Sequence, residues 1–167
     1  MVKLSKNQQD IIYKEKDSNL LVLSLPGGGK TRTLLERVNF LINSQNVSKD
    51  RILIITFTNA AVNDIQNKIE LEHIYTIDSL CARLCFKHEF FDKDILYLIE
   101  PDDYKYEVYK NLNKIEKDWD YIFVDEVQDI DYIQYKIIKH YNDLDCRLYL
   151  TGDINQNIYS FRGTSNK

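Results

Sequence analysis

Apolar residues in this chain fall into short continuous runs separated by ladders of spaced positions. Leu20–Leu23, Arg51–Thr56, His73–Thr76, Tyr121–Val124 and Arg147–Leu150 are runs with the length of buried strands. Between them the apolar positions repeat at helical spacing: Leu34, Leu35, Val38, Leu41 and Ile42, then Ala61, Ile65 and Ile69. Leu80, Cys81, Leu84 and Cys85 form another ladder, and Ile133, Ile137, Ile138 and Tyr141 the last. Pro101 suits the first turn of a helix bearing Tyr104, Val108, Leu112 and Ile115, and Asp94–Ile99 reads as one more short strand. Near the N-terminus, Ser5 and Gln8 have the spacing of a capping box. Strands alternating with helices predict an α/β fold with a central, mostly parallel sheet flanked by helices. Ligands of such sheets sit at the carboxyl ends of the strands, where Ser24, Thr56, Thr76, Asp125 and Thr151 fall.

The first run leads into Pro26, Gly27, Gly28 and Gly29, and then into Lys30 and Thr31 at the head of the first ladder. Strand, glycine turn, Lys-Thr and helix is the layout of a phosphate-binding loop. Glycines let the backbone curl so that its N–H groups point into one concavity, and the new helix adds the positive end of its dipole. Lys30 can reach the terminal phosphates as a point charge, and the Thr31 hydroxyl is placed to ligate Mg²⁺. The usual motif has glycine where this chain has Ser24.

Tyr121–Asp129, YIFVDEVQD, delivers Asp125 and Glu126 to the end of a buried strand. Side chains alternate along a strand, so the two acids should point differently. One can hold Mg²⁺ while the other faces an attacking water. An acidic strand end can also simply cap the next helix, a role Asp129 or Asp131 could fill alone.

Composition narrows the setting. A chain of 167 residues is one ordinary domain, of a size that buries roughly 70% of its unfolded surface. With 44% hydrophobic and 29% charged residues it reads as globular rather than disordered. No apolar run approaches the ~20 residues of a membrane span, and the first residues lack the apolar core of a secretory signal. The expectation is a soluble intracellular protein with no membrane partner. Three cysteines suit a reducing compartment, and Cys81 and Cys85 read as buried small side chains rather than metal ligands. A net charge of −4 argues against nucleic-acid binding by global electrostatics, but leaves room for a local groove.

Taken together, the segments resemble the first RecA-like lobe of UvrD/Rep-type superfamily 1 DNA helicases. Leu4–Ile12, LSKNQQDII, resembles their adenine-reading glutamine motif, and SLPGGGKTRTL their phosphate loop, which tolerates a small residue at Ser24. ILIITFTNAA and YTIDSLCARL resemble two segments that touch single-stranded DNA, and VDEVQD the acidic motif. LTGDINQNIYSFRG is similar to the motif that senses the terminal phosphate and contacts DNA. The resemblance runs in order along nearly the whole chain and implies a three-layer P-loop NTPase fold that uses ATP and Mg²⁺.

Position by position, the resemblance implies that Gln8 reads the adenine edge and that Arg32 packs on its face. Ser24, Gly27, Gly28, Gly29, Lys30 and Thr31 would surround the phosphates, with Thr31 and Asp125 holding the metal and Glu126 as the base. Gln128 and Gln156 would report the γ-phosphate state to the DNA groove. Phe57, Thr58, Asn59, Thr76, Phe161 and Arg162 would meet the nucleic acid, Phe161 as a stacking platform where the family commonly has tryptophan. The strand would be single-stranded DNA, with RNA left open.

The chain also departs from the family. Asp78 stands where histidine is usual, and Ala60 where lysine is common. The stretch from Ser79 to Asp125 has no room for the helical subdomain the family usually inserts there. The 167 residues also hold no second RecA-like lobe, which supplies arginine fingers. Such a finger is worth about 10³–10⁵ in rate. This chain by itself is therefore expected to bind Mg-ATP, hydrolyse it slowly and not translocate, needing a second helicase lobe or a replication or repair partner. Two other classes fit parts of the pattern: a nucleotide-dependent binding module that docks on a partner, and a small P-loop kinase. Against the kinase, Glu126 beside Asp125 suits activation of water, and nothing resembles an arginine-bearing lid.

Overall fold

The computed structural model describes residues 3–92 and 99–153. In chain order its elements are α1 (Lys6–Ile12), β1 (Leu20–Ser24), α2 (Lys30–Gln45), β2 (Ile52–Thr56) and α3 (Asn59–Gln66). There follow β3 (Ile74–Thr76), α4 (Ile77–Lys87), α5 (Pro101–Lys110), β4 (Tyr121–Val124), α6 (Tyr132–Asp143) and β5 (Arg147–Asp153). Among the described residues the strands form one sheet in the order β1-β5-β4-β2-β3, with every neighbouring pair parallel. Parallel neighbours need long crossovers, and the intervening helices provide them.

Side-chain alternation along the strands divides the core in two. All of β2 is buried, with Leu53 and Ile55 on one face of the sheet and Ile52 and Ile54 on the other. The first face packs against α4, α5 and α6 through Leu80, Leu84, Val108, Ile137 and Ile138. The second packs against α2 and α3 through Leu34, Val38, Leu41 and Ile65. Helices, sheet and helices make the three layers of a RecA-like P-loop fold, as the alternating pattern predicts.

Element ends differ from the expected ones for local reasons. The Asn111 side chain donates to the Glu107 carbonyl oxygen at 3.0 Å, and α5 closes at Lys110. Leu112–Lys114 then form a 3-10 turn, and Ile115 reaches the core without being helical. Ile69 likewise lies past the end of α3. β5 runs on to Asp153 because β1 pairs with it as far as Ser24 opposite Asp153. Thr151 therefore stands inside a strand, level with Val22, rather than at its end. The expected strand Asp94–Ile99 falls almost wholly outside the described residues.

One buried cation ties the N-terminal helix to this frame. Arg37 of α2 is 2% exposed, and its guanidinium donates to the carbonyl oxygens of Ile12, Lys14 and Glu15. Those carbonyls lie where α1 ends and have no helical partners of their own. Burial lowers the Arg37 pKa from its usual value. Edge-on contact of Tyr13 with Phe40, centroids 5.3 Å apart, reinforces the same junction. Cys81, Cys85 and Cys146 are all buried and unpaired. No helix among the described residues is long and apolar enough to cross a membrane.

Two outcomes follow from this packing. Replacing Arg37 by Met leaves the Ile12 and Lys14 carbonyls without their donor, while Glu15 keeps the Ser18 N–H, and should lower unfolding stability by about 2–3 kcal/mol, read from urea denaturation. Burial raises the Cys81 thiol pKa and pushes Cys85 up to about 12 and Cys146 up to about 11. The native protein should therefore resist a thiol-reactive dye near neutral pH, and all three cysteines should react once it is unfolded.

Candidate active site

The glycine turn carries the chain from the end of β1 into α2. Gly27 and Gly29 both have φ of +76°, a left-handed geometry that strains any other L residue. Gly28 has an ordinary φ but no space: a Cβ there would lie 3.0 Å from the Leu25 carbonyl oxygen and 3.1 Å from Ser24 Oγ. Ser24 has no positive φ, so the position does not itself require glycine, and the bare Gly28 makes room for its hydroxymethyl group. Gly29 is the N-cap of α2 and offers no side-chain acceptor, so the first-turn N–H groups are left for an anion.

The end of β4 meets this loop. Thr31 Oγ1 donates to Asp125 Oδ2 at 3.1 Å, and Lys30 Nζ lies 3.4 Å from Glu126 Oε2. The two acids part as expected, but for another reason: both lie past the end of β4, and the left-handed backbone at Glu126 rather than strand alternation separates them. Asp125 is 6% exposed, accepting from Thr31, from the Thr151 hydroxyl and from the Glu126 N–H. Glu126, with a side chain 40% exposed, sits in the left-handed region at φ 58° and takes a hydrogen bond from Gln128 Nε2. Gln128 is buried, and its Oε1 accepts the Asp153 backbone N–H at 3.1 Å, bracing the end of β5 against Glu126. A Cβ on Gly152 would come within 3.0 Å of Val127 Cγ2, which explains the bare backbone at that approach.

These groups enclose a cleft of about 490 Å³ lined by Gly27, Gly29, Lys30, Thr31, Arg32, Glu126, Gln128 and Asp153, among others. Asp125 sits behind Thr31. Gln8 completes the capping box with Ser5, and its Nε2 reaches the Gly28 carbonyl oxygen at 3.4 Å, so α1 leans on the loop. A larger cleft of about 570 Å³, lined by His73, Phe86 and Trp119, opens near the amino ends of the strands. It lacks the glycine turn and its free N–H groups.

Of the residues expected to face nucleic acid, Phe57, Thr58, Asn59 and Thr76 lie at or just past the carboxyl ends of β2 and β3, which are level at Thr56 and Thr76. Phe57 is half-buried against the core below α4. Thr58 and Asn59 are exposed, and the Thr58 hydroxyl caps α3 by accepting the Ala61 N–H. Thr76 is buried, and its hydroxyl accepts the Ser79 N–H at the head of α4. Capping accounts for both hydroxyls without a ligand. Asp78 is exposed in the first turn of α4, where its charge favours the helix. Gln156, Phe161 and Arg162 lie outside the described residues. The sequence set Thr151 at a strand end where ligands sit, and both Thr151 and Asp153 within the LTGDINQNIYSFRG segment, but assigned neither a contact; Asp153 lines the cleft and Thr151 holds Asp125.

The AAA domain family matches residues 8–162. An inferred ATP-dependent DNA helicase of Acanthamoeba polyphaga mimivirus is 29% identical over 98% of this chain and 26% of its own length. A DNA helicase II homologue of Mycoplasma capricolum is 24% identical over 98% of the chain and 36% of its own length. The ATP-dependent DNA helicase PcrA of Staphylococcus epidermidis is 32% identical over 50% of the chain and 13% of its own length. The chain thus spans about a quarter to a third of the relatives that it matches end to end. The Mycoplasma alignment runs over 258 positions against 167 residues here, so that relative carries inserted segments. With the family matched over most of the chain and the phosphate loop and acidic strand end facing one cleft, this chain belongs to the AAA domain family, as the first RecA-like lobe of the UvrD-like superfamily 1 helicases.

Proposed function

We propose that this chain is the ATP-binding and ATP-hydrolysing lobe of a UvrD-like DNA helicase, coupling Mg-ATP turnover to its grip on single-stranded DNA. The observation that carries the reading is the cleft shared by Lys30 and Thr31 of α2 with Glu126 beyond β4. Lys30 and the free N–H groups of the loop hold the phosphates. Gln8 and Arg32, on the α1 side, take the adenine.

A buried carboxylate must be paired or bind a cation. Among the described residues no lysine or arginine pairs with Asp125. One carboxylate and one hydroxyl, with phosphate oxygens and water completing the set, suit Mg²⁺ better than a dedicated all-protein cage. Thr31 and Asp125 would hold it, and it would neutralise charge on the β- and γ-phosphates. Glu126 is the general base for the attacking water, at the mouth of the cleft where water has access. Gln128 joins Glu126 to the end of β5, and so to the segment bearing Gln156, Phe161 and Arg162. That link, with Phe57, Thr58, Asn59 and Thr76 at the same carboxyl end of the sheet, supports a nucleic-acid track beside the nucleotide. With a net charge of −4, its grip comes from stacking and local contacts.

Assayed by itself, this lobe should bind Mg-ATP and hydrolyse it slowly, with single-stranded DNA raising the rate. Lys30→Ala should abolish turnover. Glu126→Gln should keep ATP binding and lose about 10²-fold or more in rate. Gly29→Ala brings a Cβ to 3.0 Å from Gln8 Nε2 in a left-handed turn, and should weaken ATP binding while the fold persists. ATP binding with no turnover under any DNA or RNA condition would instead assign the chain to a nucleotide-dependent binding module. Phosphate transfer to a nucleotide acceptor would assign it to the kinases.

A further inference from the structure

Thr151 is fully buried in β5, yet it carries a hydroxyl where Leu148 and Tyr149 of the same strand present hydrocarbon or ring. A buried hydroxyl costs free energy unless it is hydrogen-bonded. Here it donates to Asp125 Oδ1, which also accepts the Glu126 N–H at 3.1 Å. The other oxygen, Oδ2, accepts the Thr31 hydroxyl at 3.1 Å. The carboxylate is therefore held from two sides. β5 and the β4 turn fix one oxygen, and the head of α2 meets the other.

We propose that Thr151 is a positioning residue for the divalent cation: its hydroxyl fixes the Asp125 carboxylate so that Oδ2 and the Thr31 hydroxyl are presented together. This rests on the reading of the cleft as a Mg-nucleotide site. A carboxylate on a single χ1 and χ2 is free to rotate unless its oxygens are held. Each rotation away from Thr31 would remove both the oxygen offered to the cation and the acceptor that orients the Thr31 proton. With Oδ1 tied to β5, the Thr31 proton points to Oδ2 and its oxygen lone pairs remain for the cation. The nucleotide would be held by other groups, Lys30 and the loop N–H groups, whereas the Thr151 hydroxyl is bonded to Asp125. Thr151 therefore acts on the cation's contribution to binding and leaves the remainder unchanged.

The test separates those two contributions. A fluorescent, non-hydrolysable ATP analogue is titrated into the wild-type chain, Thr151→Val and Thr151→Ser, each with EDTA and with Mg²⁺. Thermal denaturation in EDTA establishes that each variant is folded. Should the valine variant not fold, Thr151→Ala, which removes the hydroxyl without adding bulk, takes its place. In EDTA all should bind alike. Added Mg²⁺ should tighten binding to wild type and to the serine variant together, and tighten the valine variant about tenfold less. Equal tightening in wild type and Thr151→Val would overturn the proposal, as would weakening of Thr151→Val in EDTA and Mg²⁺ alike. If Mg²⁺ fails to tighten wild type at all, the Mg-nucleotide reading of the cleft falls, and this role for Thr151 with it.

Discussion

Thr31 and Asp125 are separated by 94 positions in the chain and share a hydrogen bond of 3.1 Å, and the cleft is arranged around that contact. Neither of their strands pairs with the other. β1, which launches the glycine turn, and β4, which ends at the acids, are held apart by β5. The loop and the acids can meet only because β5 presents little bulk at its end. Gly152 lets its backbone pass Val127, and Asp153 donates its N–H to the buried Gln128. The strand between the two halves of the site is thus its spacer and, through Thr151, one of its supports.

The charges at the cleft differ in how firmly they are held. Lys30 and Glu126 stand 3.4 Å apart, the lysine side chain 10% and the glutamate 40% exposed, so the acid end of the pair is open to solvent. Asp125 is fixed by three donors and has no basic partner among the described residues. Glu126 takes a left-handed backbone conformation, which costs a non-glycine residue of order 1–3 kcal/mol. That turn carries its carboxylate to Lys30 and the mouth of the cleft while Asp125 stays behind. A fixed acid behind and an exposed one at the mouth is the division of labour that a metal ligand and a water-activating base require.

The carboxyl end of the one parallel sheet serves both halves of the proposed coupling. β2 and β3 end level with one another, and each passes directly into a helix capped by its own threonine. Phe57 is packed between the core and this end, while Asn59 is open to solvent. Gln128 is the one described side chain that bonds both to Glu126 and to the strand leading toward the far motif. A displacement of Glu126 therefore has a short mechanical route to β5, through two hydrogen bonds rather than through the core.

The local signals were strong where the backbone itself was constrained. A run of glycines before Lys-Thr can do little but turn, and a ladder of Leu34, Val38 and Leu41 can bury its face only as a helix. Such features give the strands, the helices, the phosphate loop and the acidic strand end, and through them the family. Boundaries were less legible: the side chain of Asn111 ends α5, and pairing with β1 lengthens β5, and neither is visible in periodicity. Nor could the sequence show that Arg37, on an apolar helix face, closes the end of α1, or that Thr151 supports Asp125. Those roles depend on strand order, which brings together residues far apart in the chain. Hydrophobic pattern sets which face each element buries, but only the assembled sheet decides which neighbour it finds there.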